Sequence, residues 1–71
     1  MPSLKLLVAE LRDPADEARV RGVIGGRDGV YGMVVCLRTG TVAIDFEDDE
    51  ISSDMLVDIV EQSGFDVKVI G

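Results

Sequence analysis

Apolar and polar residues alternate with a period of two in four stretches of the chain, and follow a helical period in two segments between them. Leu4 to Leu11 reads as a strand with Leu4, Leu6 and Val8 on one face. From Pro14 to about Gly25 the spacing predicts a helix presenting Val20, Val23 and Ile24 inward. Its apolar stripe is thin, and each of Gly22, Gly25 and Gly26 lowers helicity by about 1 kcal/mol if it lies inside. Asp28-Gly29 turns the chain into a β-rich run, Val30 to Arg38, with Met33, Val35 and Leu37 inward. Thr39-Gly40 signals a hairpin, and Thr41 to Glu47 follows with Val42, Ile44 and Phe46 on the core side. Asp48-Asp49-Glu50 reads as a solvated loop. Ser52 suits an N-cap, and the helix from Ser53 to Ser63 places Met55, Leu56, Ile59 and Val60 on one stripe. Gly64 is a natural C′ residue, after which Phe65, Val67 and Val69 alternate as a closing strand. The order β-α-β-β-α-β is the ferredoxin-like arrangement, an α+β sandwich of a four-stranded antiparallel sheet with two helices on one face.

Size makes residues 1–71 one expected domain. Charge changes the picture more than composition does. The net charge is −7, and residues 41–71 carry one basic side chain against nine acidic ones. Such a field disfavours nucleic acid and anionic lipid and favours a basic protein surface. Tyr31 is the sole aromatic expected on the open sheet, which argues against base stacking. The single cysteine forms no internal disulfide and fits a reducing compartment. No apolar run approaches a membrane span, and Met1-Pro-Ser-Leu lacks signal-peptide regions. A cytoplasmic location is therefore expected.

The turn Leu11-Arg12-Asp13-Pro14-Ala15-Asp16 is where chemistry would sit. Asp13 is a good N-cap, Pro14 suits the first helical position, and Asp16 complements the helix dipole. A well-made helix start explains all three. The chain has no histidine and no asparagine, so neither a serine-histidine site nor acylphosphatase-like catalysis is expected. The chain is read as a non-enzyme.

These residues resemble the heavy-metal-associated domains of copper chaperones and metal-pumping ATPases. Asp28-Gly29-Val30 is similar to the family's Pro-Gly-Val turn. Val42-Ala-Ile-Asp-Phe46, Ile51-Ser52, Leu56, Ile59-Val60-Glu61 and Ser63-Gly64-Phe65 resemble its C-terminal half. The family's Gly-Met-x-Cys-x-x-Cys falls, without gaps, on Glu10, Leu11, Asp13 and Asp16, so both thiolates are replaced by carboxylates. Monovalent copper selects soft thiolate or thioether ligands, whereas carboxylates suit hard ions. Two aspartates fall short of the six to eight oxygens a calcium site takes, and Cys36, expected to point away from the helices, does not replace the lost pair. Met33 and Met55 are expected on inward stripes.

The resemblance implies a ferredoxin-like module related to metal transport, with a degenerate metal motif, no resident cofactor, and a protein partner such as a metal-transporting ATPase. Its expected docking surfaces are the acidic side chains Asp54, Asp58 and Glu61 of the second helix, and an open sheet face carrying Leu7, Ala9, Val34, Cys36, Ala43 and Ile70. That face also suits weak self-pairing. Two alternatives stay open: a carrier holding a divalent ion through Asp13 and Asp16, with Glu17 as a third donor, and a small-molecule sensor of the ACT type, suggested by Arg12-Asp13-Pro14.

Overall fold

The computed structural model describes residues 2–71. Its elements are β1 (Ser3–Val8), α1 (Pro14–Ile24), β2 (Val30–Cys36), β3 (Thr41–Phe46), α2 (Ser53–Gln62) and β4 (Val67–Val69). The strands form one antiparallel sheet in the order β2-β3-β1-β4. Leu4, Leu6 and Val8 of β1 and Val42, Ile44 and Phe46 of β3 are buried, as the alternation predicts. From above they meet Val20 and Ile24 of α1, Leu56 and Val60 of α2, and Leu11, Ile51 and Phe65 from the connections. Removing such a side chain, for example Leu56→Ala, costs about 2–5 kcal/mol.

Backbone geometry shapes the connections. Gly29 has φ +92° and is buried. A Cβ there would come within 2.9 Å of the Glu50 Cβ and 3.0 Å of the Ile51 Cγ2, so only glycine lets the α1–β2 turn press onto the β3–α2 loop. The Glu47 amide donates to the Gly29 carbonyl at 2.7 Å, tying the two loops together.

The structure shortens all four strands, β3 by the single residue Glu47. β1 ends at Val8 because Ala9 and Glu10 turn, leaving Leu11 to enter the core from a loop. β2 ends at Cys36, where the Gly40 amide donates to the Cys36 carbonyl and closes the hairpin. β4 has three residues, and Phe65 fills the core from ahead of it. Two side chains expected inward are exposed. Met55 is 55% exposed because it lies in the first turn of α2, on the flank of the Leu56–Val60 stripe. Val69 pairs with Leu6 and so shares its face, but at the sheet's edge, where it is 53% exposed. Among the described residues no helix is long and apolar enough to cross a membrane.

Candidate functional site

Helix α1 begins with Pro14, and its N-cap Asp13 has an extended backbone. One Asp13 carboxylate oxygen, Oδ1, accepts from the amides of Ala15 at 3.0 Å and Asp16 at 3.1 Å. Asp16 reaches back, and its Oδ2 accepts from the amides of Arg12 at 3.2 Å and Asp13 at 3.4 Å. The two carboxylates thus form a reciprocal capping box, satisfying backbone donors that a helix start leaves open. The third candidate donor, Glu17, is committed elsewhere: its Oε2 accepts from Arg21 Nε at 2.8 Å. Asp13, Asp16 and Glu17 therefore each hold a protein donor. The Asp13 cap is the one expected, whereas Asp16 does more than complement the helix dipole. The Asp-x-x-Asp spacing was the signal for the second half of the box.

The turn before the cap has two features at the positions where the expected register places the family's Gly-Met. Glu10 adopts φ +65°, the left-handed region that favours glycine, at the position matching the family motif's glycine. Leu11 is 2% exposed at the position matching its methionine.

Among the described residues, three acidic groups that lie close enough to share an ion occur at Glu47, Asp48 and Asp49, in the β3–α2 loop rather than at α1. Asp48 and Asp49 are exposed and Glu47 is half-buried in that loop, and nothing else there points to a ligand. Asp54, Asp58 and Glu61 are all exposed on α2, with Asp58 accepting from Gln62 at 3.3 Å.

The open sheet face is more mixed than the apolar residues suggest. Pairing registers align Lys5 with Ala43 and Ala43 with Val34, while the Ile70 amide donates to the Lys5 carbonyl. The next row runs Lys68, Leu7, Thr41, Cys36. Lys5 thus separates Ile70 from Ala43 and Val34, whereas Thr41 lies between Leu7 and Cys36 and Lys68 sits at the outer end of that row. Of these, Leu7, Val34 and Ile70 are exposed, while Cys36 and Ala43 are half-buried. Ala9 is exposed beside a shallow hollow of about 320 Å³ that Leu7, Asp66 and Lys68 also line. The Cys36 thiol is held below its ordinary range, first by hydrogen bonding to the Thr39 side chain, then by the Thr39 backbone, with Arg38 adding a smaller push and partial burial opposing them.

No protein-family model matches the chain. A segment of 41 residues is 42% identical to the copper chaperone CopZ of Staphylococcus saprophyticus, covering 58% of this chain and 60% of the chaperone. The match thus spans about 60% of that relative's length. In fold the chain is similar to a copper-binding domain from HMA7, a P-type ATPase, with a TM-score of 0.92, 17% identity, and coverage of 100% of this chain and 96% of that one. It is also similar to a chain of the Atx1-Cu(I)-Ccc2a complex, with a TM-score of 0.88, 20% identity, and coverage of 97% and 94%. The chain has the ferredoxin-like fold of the heavy-metal-associated domains, and its resemblance to that family stands.

Proposed function

We propose that this chain is a non-catalytic module, spanning residues 1–71, of a metal-transport or chaperone system, and that it acts by docking to protein rather than by carrying copper. The observation that supports this reading is the capping box. Where the related motif has two thiolates, Asp13 and Asp16 spend their carboxylates on the helix's own amides. A soft monovalent ion has no matching donor in that turn, and the nearby carboxylate of Glu17 is held by Arg21. The donor set does not fit copper.

The docking surface is the acidic flank of α2, Asp54, Asp58 and Glu61. Its partner is a basic surface, for which a cytoplasmic domain of a metal-transporting ATPase is the first candidate. Solved relatives occur in such ATPases and in a complex.

Titration against a monovalent-copper chelator under reducing conditions tests the metal half. The expected result is no competition by the wild type and clear competition by Asp13→Cys/Asp16→Cys. Copper binding by the wild type that disappears in Asp13→Ala would sink the proposal. A divalent ion that raises the melting temperature through Asp13 and Asp16 would replace it with the carrier reading. Docking is tested by binding to the candidate ATPase domain, where Asp54→Lys/Asp58→Lys/Glu61→Lys should weaken the complex. Unchanged affinity would move the interface off α2.

A further inference from the structure

β4 is an edge strand, and its unpaired side has a defined polarity. The Asp66 carbonyl accepts from Ala9 and the Ile70 amide donates to Lys5. Residues 66, 68 and 70 therefore face β1, with the Lys5 amide donating to the Gly71 carbonyl rather than to that of Ile70. By the alternation of an antiparallel ladder, Val67 and Val69 aim their N–H and C=O groups away from the sheet. None of the turn and loop backbone bonds among the described residues uses either of them. The opposite edge is protected differently, since β2 carries a register irregularity between Val30 and Gly32, a common device against edge pairing. β4 pairs regularly with β1 over Val67–Val69 and slips only beyond it, where Lys5 bonds both Ile70 and Gly71, so within the strand its guard is a single exposed lysine, Lys68.

That lysine is also half of a self-complementary pattern, Asp66-Val67-Lys68. Because Val67 and Val69 supply the outward groups, an antiparallel partner copy of β4 is limited to a few registers. Pairing Val67 with Val69 sets Lys68 against Lys68. Shifting two residues the other way sets Asp66 against Asp66. Like charges directly opposite are destabilising. Pairing Val67 with Val67 instead sets Asp66 opposite Lys68 twice, in the non-hydrogen-bonded positions where side chains come closest. The same register brings Val69 opposite Phe65, covering an apolar side chain that is 53% exposed.

We propose that a second copy of this chain docks edge to edge on β4, antiparallel about a two-fold axis at Val67. The result is a continuous eight-stranded sheet with all four helices on one side, an isologous interface in which the same strand serves both copies.

A charge-swap experiment on the full chain tests the register. Sedimentation of the wild type between about 10 µM and about 1 mM should show reversible dimerisation, the range expected for a small interface. Asp66→Lys alone and Lys68→Asp alone each place like charges opposite one another, and each should weaken self-association by about tenfold or more. Mixed in equal amounts, the two variants restore the match. The Asp66→Lys copy carries two lysines at positions 66 and 68, the Lys68→Asp copy carries two aspartates there, and a heterodimer should return. Amide exchange on the wild type gives a second readout that needs no variant. Val67 and Val69 should gain protection as concentration rises, while Lys68, already bonded to β1, should not. A wild type that stays monomeric over this range overturns the proposal. So do variants that pair with themselves as well as the wild type does, a mixture that fails to associate, and exchange at Val67 and Val69 that ignores concentration.

Discussion

Glu10 and Asp13 stand three residues apart in one turn, and their substitution should move stability in opposite directions. Glu10 holds φ +65°, a conformation that costs a non-glycine residue on the order of 1 kcal/mol. Glu10→Gly removes that strain and loses some of the gain to a more flexible unfolded chain. The expected net is about 0.5–1 kcal/mol of added stability, a rise of a few degrees in a domain this small. Asp13→Ala removes the acceptor of the Ala15 and Asp16 amides and should cost about 1–2 kcal/mol. Asp13→Asn, which keeps an oxygen there, should cost less. Thermal melts of the three variants check both signs. Cys36 gives a residue-level pH effect. Its folded thiol titrates below the ordinary range because of Thr39 and Arg38, so alkylation should begin at lower pH than for an unstructured cysteine, and Thr39→Val should move the profile back up. The linkage has a definite sign. A folded-state value lowered relative to the unfolded one adds stability at alkaline pH, and that stability is lost as pH falls through the lowered value. Alkylation profiles that coincide for wild type and Thr39→Val would remove Thr39 as the cause.

The two helices were legible in the sequence for different reasons, and the difference has a consequence. α2 announced itself through the Leu56–Val60 stripe and the Ser52 cap, whose Oγ accepts from the Met55 amide at 3.1 Å. α1 was placed mainly by its cap and Pro14, since only Val20 and Ile24 of its residues are buried. Strand faces followed from alternation wherever both neighbours and a helix cover the strand, as for Leu6 and Ile44. The pattern misled at Val69, where alternation gives the face but not the cover. It also misled at Met55, where helical spacing placed a flank residue on the stripe. The lysines of the open face were readable as outward positions, yet their pairing into the rows of Ile70 and Leu7 needed the register. α1 should therefore be the softer element. Amide exchange should show 17–26 less protected than 55–62, because local opening tracks buried contacts and propensity. Gly22 is exposed, and a Cβ there meets nothing within 4 Å. Gly22→Ala should stabilise the chain by roughly 0.5–1 kcal/mol and narrow that difference in protection. Equal protection in the wild type would mean that packing onto the sheet outweighs the glycine.

Charge organises the whole molecule differently from its core. The bases Arg12, Arg19, Arg21 and Arg27 lie in or beside α1, while Asp54, Asp58 and Glu61 lie on α2 and Glu47, Asp48, Asp49 and Glu50 in the loop before it. Among the described residues one ion pair forms, Arg21 with Glu17, within α1 itself. Arg19 does not pair with an acid of α2 but sits 5.4 Å from the centre of the Phe65 ring. Glu47, Asp48 and Asp49 are left with one another as close neighbours, in a chain of net charge −7. Two long-range effects compete: attraction between the α1 arginines and the α2 side, and repulsion within the acidic half. Repulsion should win, since the acids are contiguous and cross-helix ion pairs are absent among the described residues. Screening then decides the sign of the salt effect. Between about 0.01 M and about 0.15 M salt the Debye length falls from roughly 30 Å to roughly 8 Å, which is below the 31 Å long axis of the molecule. The melting temperature should rise over that interval as self-repulsion is screened. Asp48→Asn/Asp49→Asn, which removes two of the clustered charges, should raise the low-salt value and flatten the slope. A melting temperature that falls with added salt would show instead that attraction between the two helices outweighs the acidic cluster.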